Sequence, residues 1–201
     1  MDAASQESLE ATLKGEIFRM YDEVADNPSG HFHFYHGRDA AELFGYDSAD
    51  LSAAPAGAVA SFAGVGNPHL RAQLQPGEVV LDLGSGAGLD AFMASRRVGP
   101  TGRVIGVDMN PAMCKKVRTH AAESGAELEC VEGTMEAIPL PDASVDVVIS
   151  NGVINLSFRK RRVMEEMFRV LRPGGRISIT DIVSGKQLSQ NIVNDPKLWA
   201  S

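Results

Sequence analysis

The sequence predicts an α/β fold: a parallel sheet covered by helices, preceded by a helical N-terminal segment. Three observations carry this. From residue 78 onward, short apolar runs alternate with segments of helical spacing. Before residue 76 there is helical spacing and Ala/Gly/Pro-rich chain without a comparable strand pattern. A three-glycine loop joins the first apolar run to the helix that follows it.

The elements follow in order. Residues 9–24 place Leu9, Leu13, Ile17, Met20, Tyr21 and Val24 at helical spacing, and Asn27-Pro28-Ser29-Gly30 stops that helix. Residues 31–36 alternate His with aromatics and read as a short strand or an ordered loop. A short helix is expected over 39–44, closed by Gly45, and Asn67-Pro68 is positioned to cap another. Strands are then expected over 78–83, 103–108, 128–132, 145–150 and 176–181, with helices over 89–98, 111–124 and 159–171. The last helix should turn Val163, Met164, Met167, Phe168 and Leu171 inward, and Arg172-Pro173-Gly174-Gly175 should form a turn. The resulting division is a helical segment over 1–75, a sheet domain over 76–185, and a C-terminal tail over 186–201 that reads as truncated.

Composition narrows the classes of function. The chain has 201 residues, 44% hydrophobic and 22% charged, enough to bury a core, and its net charge of -7 disfavours a nucleic-acid partner. Cys114 and Cys130 suggest neither a disulfide framework nor a zinc site, and they read as small core or surface residues. With no signal peptide and no membrane-length apolar run evident, the expected setting is cytoplasmic, with no membrane partner. His31, His33 and His36 have a spacing that suits a metal on one strand face, but no acid or cysteine cluster supports them, so no metal site is expected. Arg159-Lys160-Arg161-Arg162 reads as a solvated helix face offset by Glu165 and Glu166.

The sharpest signal is the run Asp82-Leu83-Gly84-Ser85-Gly86-Ala87-Gly88 between a strand and a helix. Glycines there let the backbone turn tightly and approach a ligand closely. A dinucleotide loop is spaced G-x-G-x-x-G and sets helix N–H groups against a pyrophosphate. Here the spacing is Asp-x-Gly-x-Gly-x-Gly. Asp108 ends the second strand, 20 residues beyond Gly88, where an acid accepts hydrogen bonds from both ribose hydroxyls. Met135 follows strand three, where it can cover an adenine face. Asn151 follows strand four, near the reacting end of the ligand; it reads equally well as a positioning residue or as a loop carboxamide satisfying backbone groups.

On these motifs the sequence resembles the class I methyltransferases that use S-adenosylmethionine (SAM), and more narrowly the arsenite methyltransferases. Gly64-Val65-Gly66-Asn67-Pro68, the glycine loop, Gly106-Val107-Asp108-Met109, Glu136-Ala137-Ile138-Pro139, the stretch from Ser150 to Leu156, and Arg169 to Arg176 carry the likeness. The resemblance implies a Rossmann-like sheet ordered 3-2-1-4-5-7-6, of which five strands can be placed. It implies SAM as cofactor, whose sulfonium cation and amino-acid end suit acidic neighbours. The cofactor set is then Asp82, Gly84, Ser85, Gly86, Gly88, Asp108, Met109, Met135, Glu136 and Asn151, with Tyr21 as part of a lid. It implies methyl transfer to a small acceptor, arsenite in the family, by a route that needs no strong general base; no His–Asp pair is evident at the strand ends. The family holds trivalent arsenic through cysteine thiolates. Two of the implied positions carry Val65 and Gly152, and a third falls beyond Ser201. A methyltransferase for another small metabolite and a SAM-binding remnant without catalysis therefore stay open as alternatives. The fifth strand, left as an edge, is expected to offer self-association.

Overall fold

In the computed structural model, described over residues 3–27, 30 and 34–186, a five-stranded parallel sheet forms the centre. Its strands are β1 (Val79–Leu83), β2 (Arg103–Asp108), β3 (Leu128–Glu132), β4 (Val145–Asn151) and β5 (Leu171–Thr180), in the order β3-β2-β1-β4-β5. Order reverses between β1 and β2 on one side and β1 and β4 on the other, so a crevice opens at the carboxyl ends of these strands. β1 sits at the middle of the sheet and is almost wholly buried, which is why it reads as a continuous apolar run rather than an alternating one.

Helices α1 (Ala3–Asp26) to α5 (His69–Ala72) precede the sheet, with α2 (Gly37–Leu43), α3 (Ser48–Ala53) and α4 (Ala56–Ala60) between them. The first helix is longer than its apolar spacing predicts, and the Ala/Gly/Pro-rich stretch over 53–68 holds the short helix α4. Asp47 starts α3 by accepting the Ala49 amide at 2.8 Å. Residues 31–33 lie outside the described residues, and with them His31 and His33; residues 34–36 carry no regular structure.

The crossover helices α6 (Leu89–Val98), α7 (Pro111–Ser124) and α8 (Lys160–Val170) cover the sheet. Asn110 caps α7 as expected, accepting the Ala112 amide at 2.8 Å, and Gly125 ends it in left-handed conformation. Cys114 and Cys130 are buried in one core cluster with Val104, Val117 and Leu128.

Two expectations for the last helix and strand need correction. Met164 and Phe168 do not face inward; they are 42% and 83% exposed. The buried face is Val163, Glu166, Met167 and Val170. Glu166 tolerates burial because Arg169 clasps both its oxygens at 2.7 and 2.9 Å, Arg162 adds a contact at 2.9 Å, and the Ile138 amide donates at 2.9 Å. A polar residue with enough donors thus took a core position that apolar spacing alone assigned elsewhere. Leu171 begins β5 rather than ending the helix. The Arg-Pro-Gly-Gly stretch is an irregularity within the strand: Val145 pairs with Leu171, but Val147 already pairs with Arg176. Among the described residues no helix is long and apolar enough to cross a membrane.

Candidate functional site

Two adjoining cavities open at the carboxyl ends of β1, β2 and β4, sharing Tyr21, Gly84, Gly86, Met113 and Val153. The first runs beneath α1 and is bordered by Ile17, Asp108, Met109, Met135 and Glu136. The second reaches toward α4 and the chain after it, bordered by Ser61, Gly64, Asp82, Asp90 and Asn151.

The glycine loop forms their common floor. Gly84 has φ +75°, and a Cβ there would meet Val153 at 2.6 Å, so only glycine fits between the β1 tip and residue 153. Gly88 caps α6 in left-handed conformation. The Gly86 amide donates to Asp108 Oδ2 at 2.8 Å and the Asn110 amide to Oδ1 at 2.9 Å. Each oxygen of Asp108 thereby keeps a free lone pair. Burial raises its pKa, and the Asn110, Gly86 and Met109 amides pull it back down.

Asp82, 1% exposed, leaves Oδ2 without a hydrogen-bond partner. Burial above all, then the charges of Asp90 and Asp108, hold its pKa well above the usual carboxylate range. A buried, unpartnered carboxylate oxygen beside a glycine cradle fits a ligand that brings a cation or an N–H donor. Tyr21 closes the cavities from α1; burial first, then Asp108 and Asp181, push its hydroxyl up to about 12. Asp22 on the same helix accepts a bond from Asn110 Nδ2 at 2.8 Å, fixing α1 over the β2 tip.

Ser85 belongs to the loop, but its hydroxyl turns toward Cys130 Sγ, 3.9 Å away. Met109 and Met135 line the first cavity, as does Glu136, whose Oε1 accepts from Ser157. His36 lies apart from both, with Nδ1 3.3 Å from the Phe34 carbonyl oxygen. Asn151 is saturated. Its Oδ1 accepts from the Val65 amide at 2.9 Å, the Gly66 amide at 3.2 Å and Thr180 Oγ1 at 2.8 Å. Its Nδ2 lies 2.9 Å from Gly66 O, 3.0 Å from Asp90 Oδ2 and 3.2 Å from Tyr46 Oη. It anchors the 64–66 loop against the sheet, which is the backbone-satisfying role.

The sequence also concealed a His–Asp pair. His69 Nε2 sits 3.0 Å from Asp90 Oδ1, and Tyr46 donates to the same oxygen at 2.5 Å. All three are buried. Their separation along the chain hides the cluster; the one available signal was an acid directly after the last glycine-loop position and its following leucine.

The family model described as a methyltransferase domain matches residues 74–201. The chain belongs to the methyltransferase domain family. Among relatives of this methyltransferase domain, the arsenite methyltransferase of Halobacterium salinarum is 47% identical over 157 residues, which cover 78% of this chain and 40% of that protein. The chain thus spans well under half the length of these curated relatives, 37% and 35% for the arsenite methyltransferases of Aquipseudomonas alcaligenes and Mus musculus. Among solved structures, CrArsM, an arsenic(III) S-adenosylmethionine methyltransferase from Chlamydomonas reinhardtii, superposes with a TM-score of 0.68 at 38% identity, over 75% of this chain and 53% of that one. A SAM-dependent methyltransferase from Aquifex aeolicus gives 0.55 at 23% identity, over 76% and 78%, and supports the fold of the methyltransferase domain.

Proposed function

We propose that this chain is a SAM-dependent methyltransferase of the arsenite methyltransferase type, which transfers a methyl group to a small acceptor. The observation that carries the reading is the cradle of Gly84, Gly86 and Gly88 set between two acids: Asp108, oriented by backbone amides, and Asp82, whose Oδ2 has no partner. The family membership and the likeness to CrArsM support it. Asp108 is the residue to grip a ribose diol, Met109, Met135 and Glu136 to border the base, Gly84, Ser85, Gly86 and Gly88 to floor the site, and Tyr21 to cover it. Asp82 is suited to a ligand's amino group. SAM, when bound, supplies an electrophilic methyl on a sulfonium, with the sulfur retaining the bonding pair as the acceptor's lone pair attacks in line. Asn151 acts by holding the 64–66 loop beside that end.

Where the resemblance implies thiols, Val65 and Gly152 touch: a Cβ on Gly152 would lie 3.2 Å from a Val65 methyl. The two positions implied for arsenic thus face one another, and neither residue carries a thiol. The deciding experiment incubates the protein with methyl-labelled SAM, arsenite and a thiol reductant. Methylated arsenic supports the full reading. Transfer only to another small acceptor refutes arsenite, and SAM binding without transfer to any acceptor refutes catalysis.

The 1–75 segment is on this reading a cap over the cofactor, the sheet domain the catalytic body, and the cytoplasm its setting. We further propose self-association through the β5 side, supported by exposed Phe168, Ile177, Ile182 and Val183 near that edge. A concentration-independent monomer in sedimentation velocity refutes it.

A further inference from the structure

Asp90 is 7% exposed, yet borders the second cavity. Oδ1 accepts from Tyr46 at 2.5 Å and lies 3.0 Å from His69 Nε2; Oδ2 accepts from Asn151 Nδ2 at 3.0 Å. A carboxylate offers about four acceptor sites, so Oδ2 keeps one. Tyr46, Asn151 and His69 together fix the carboxylate in one orientation. Asp82 borders the same cavity with an oxygen that has no partner, and Asp108 stands across the glycine loop. Burial first, then the charges of Asp90 and Asp108, raise the pKa of Asp82.

Tyr46 and His69 serve this anion and not the ligand. Neither borders the two cavities. Burial and the neighbouring Asp90 raise the Tyr46 pKa so far that it remains a donor. Through Asn151 the same anion is joined to the 64–66 loop, so the acceptor side and the cofactor side share one fixed charge.

Resting on the SAM reading, we propose that Asp90, held by Tyr46, His69 and Asn151, is a specificity residue that distinguishes the cationic sulfonium cofactor from its neutral thioether product. Methyl transfer removes one positive charge from a cleft bordered by Asp82, Asp90 and Asp108. The product, S-adenosylhomocysteine, has the same adenosyl and amino-acid groups but lacks that charge, so an anion desolvated beside the cleft favours the substrate form and promotes release of the product.

The test is titration calorimetry of SAM and of S-adenosylhomocysteine on the full chain, comparing the native protein with Asp90→Asn. The expected result is a fall of roughly fivefold or more in the preference for SAM over S-adenosylhomocysteine, the scale of a charge interaction across a partly desolvated cleft. Tyr46→Phe keeps the charge and should hold that preference within about twofold. Equal weakening of both ligands in Asp90→Asn, or a loss of preference in Tyr46→Phe as large as in Asp90→Asn, overturns the proposal while leaving the cofactor reading intact. A folded native protein that binds neither ligand overturns both. If Asp90→Asn does not fold, the native protein decides with sinefungin, which replaces the sulfonium by a carbon bearing an ammonium. Binding tighter than that of S-adenosylhomocysteine supports the proposal, and binding no tighter overturns it.

Discussion

Replacing Asp108 by Ala isolates the grip on the cofactor's sugar from the fold that presents it. In the native protein each Asp108 oxygen spends one lone pair on a backbone amide, Gly86 at 2.8 Å and Asn110 at 2.9 Å, and holds one in reserve. Two hydrogen bonds to an anion, discounted for the water each hydroxyl regains, amount to about 2–3 kcal/mol, or a Kd for SAM raised roughly 30- to 150-fold. Folding should suffer much less. Burial already raises the Asp108 pKa, so the charged group is costly to the empty protein, and water entering the open cleft can accept from the two amides. Asp108→Asn should fall between the two proteins, because it keeps one acceptor and loses the charge. Calorimetry gives the affinities and thermal unfolding gives the control. A Kd within about twofold of native, in a variant that unfolds cooperatively, would show that the carboxylate does not hold the ligand.

The other expectations concern stability and geometry. Gly84→Ala should abolish SAM binding and lower the midpoint of denaturant unfolding, because the backbone is at φ +75° and the new methyl would sit 2.6 Å from Val153; native affinity in this variant would contradict the geometry. Glu166 has its pKa lowered first by Arg169 and further by the Ile138 amide. A lowered carboxylate contributes stability that is present above its ordinary value of 4.5 and lost as the pH falls through the folded value. Glu166→Gln should therefore unfold more readily near neutral pH and show a flatter acid dependence below about pH 4.5, read by urea titrations across that range. Tyr46→Phe should cost about 1–3 kcal/mol, since it removes a 2.5 Å bond to a buried anion; an unchanged urea midpoint would refute that. Val65→Cys with Gly152→Cys should confer tighter binding of arsenite, measured by calorimetry under reducing conditions, because the two side-chain positions lie within contact of each other, at a cost in stability because residue 152 has φ +75°.

Much of the sheet was legible because its determinants are local. β2 and β3 match the expected residues, since each run is bounded by its own glycine, acid or turn. The cap of α7 is written in two adjacent residues, Asn110 and Pro111. Asp108 and the glycine loop were legible for a related reason: their spacing is fixed by one strand-helix-strand unit, so distance along the chain translates into distance in space. The α8 face failed because helical spacing counts apolar residues and cannot see donors. Glu166 is buried through Arg169 on its own helix, but also through the Ile138 amide, 28 residues upstream.

The same limit explains the hidden cluster around Asp90. Tyr46 lies 44 residues before it, His69 21 before, and Asn151 61 after, on four separate elements or loops. Each residue alone reads as ordinary: a tyrosine beyond a helix, a histidine after Asn-Pro, an acid in a first helical turn where the dipole favours it. What joins them is the packing of the N-terminal helices onto the start of α6, where Tyr46 and Phe62 share a cluster with Leu89, Phe92 and Met93. That packing is apolar and nonspecific in sequence, yet it carries the polar groups into register. A mutation of Leu89 or Phe62 that loosens the cluster should therefore disturb Asp90 without touching it, and with it the joint between the glycine loop and the 64–66 loop. On the proposed reading, cofactor side and acceptor side are joined by Asp90, whose position the apolar contacts of this cluster decide.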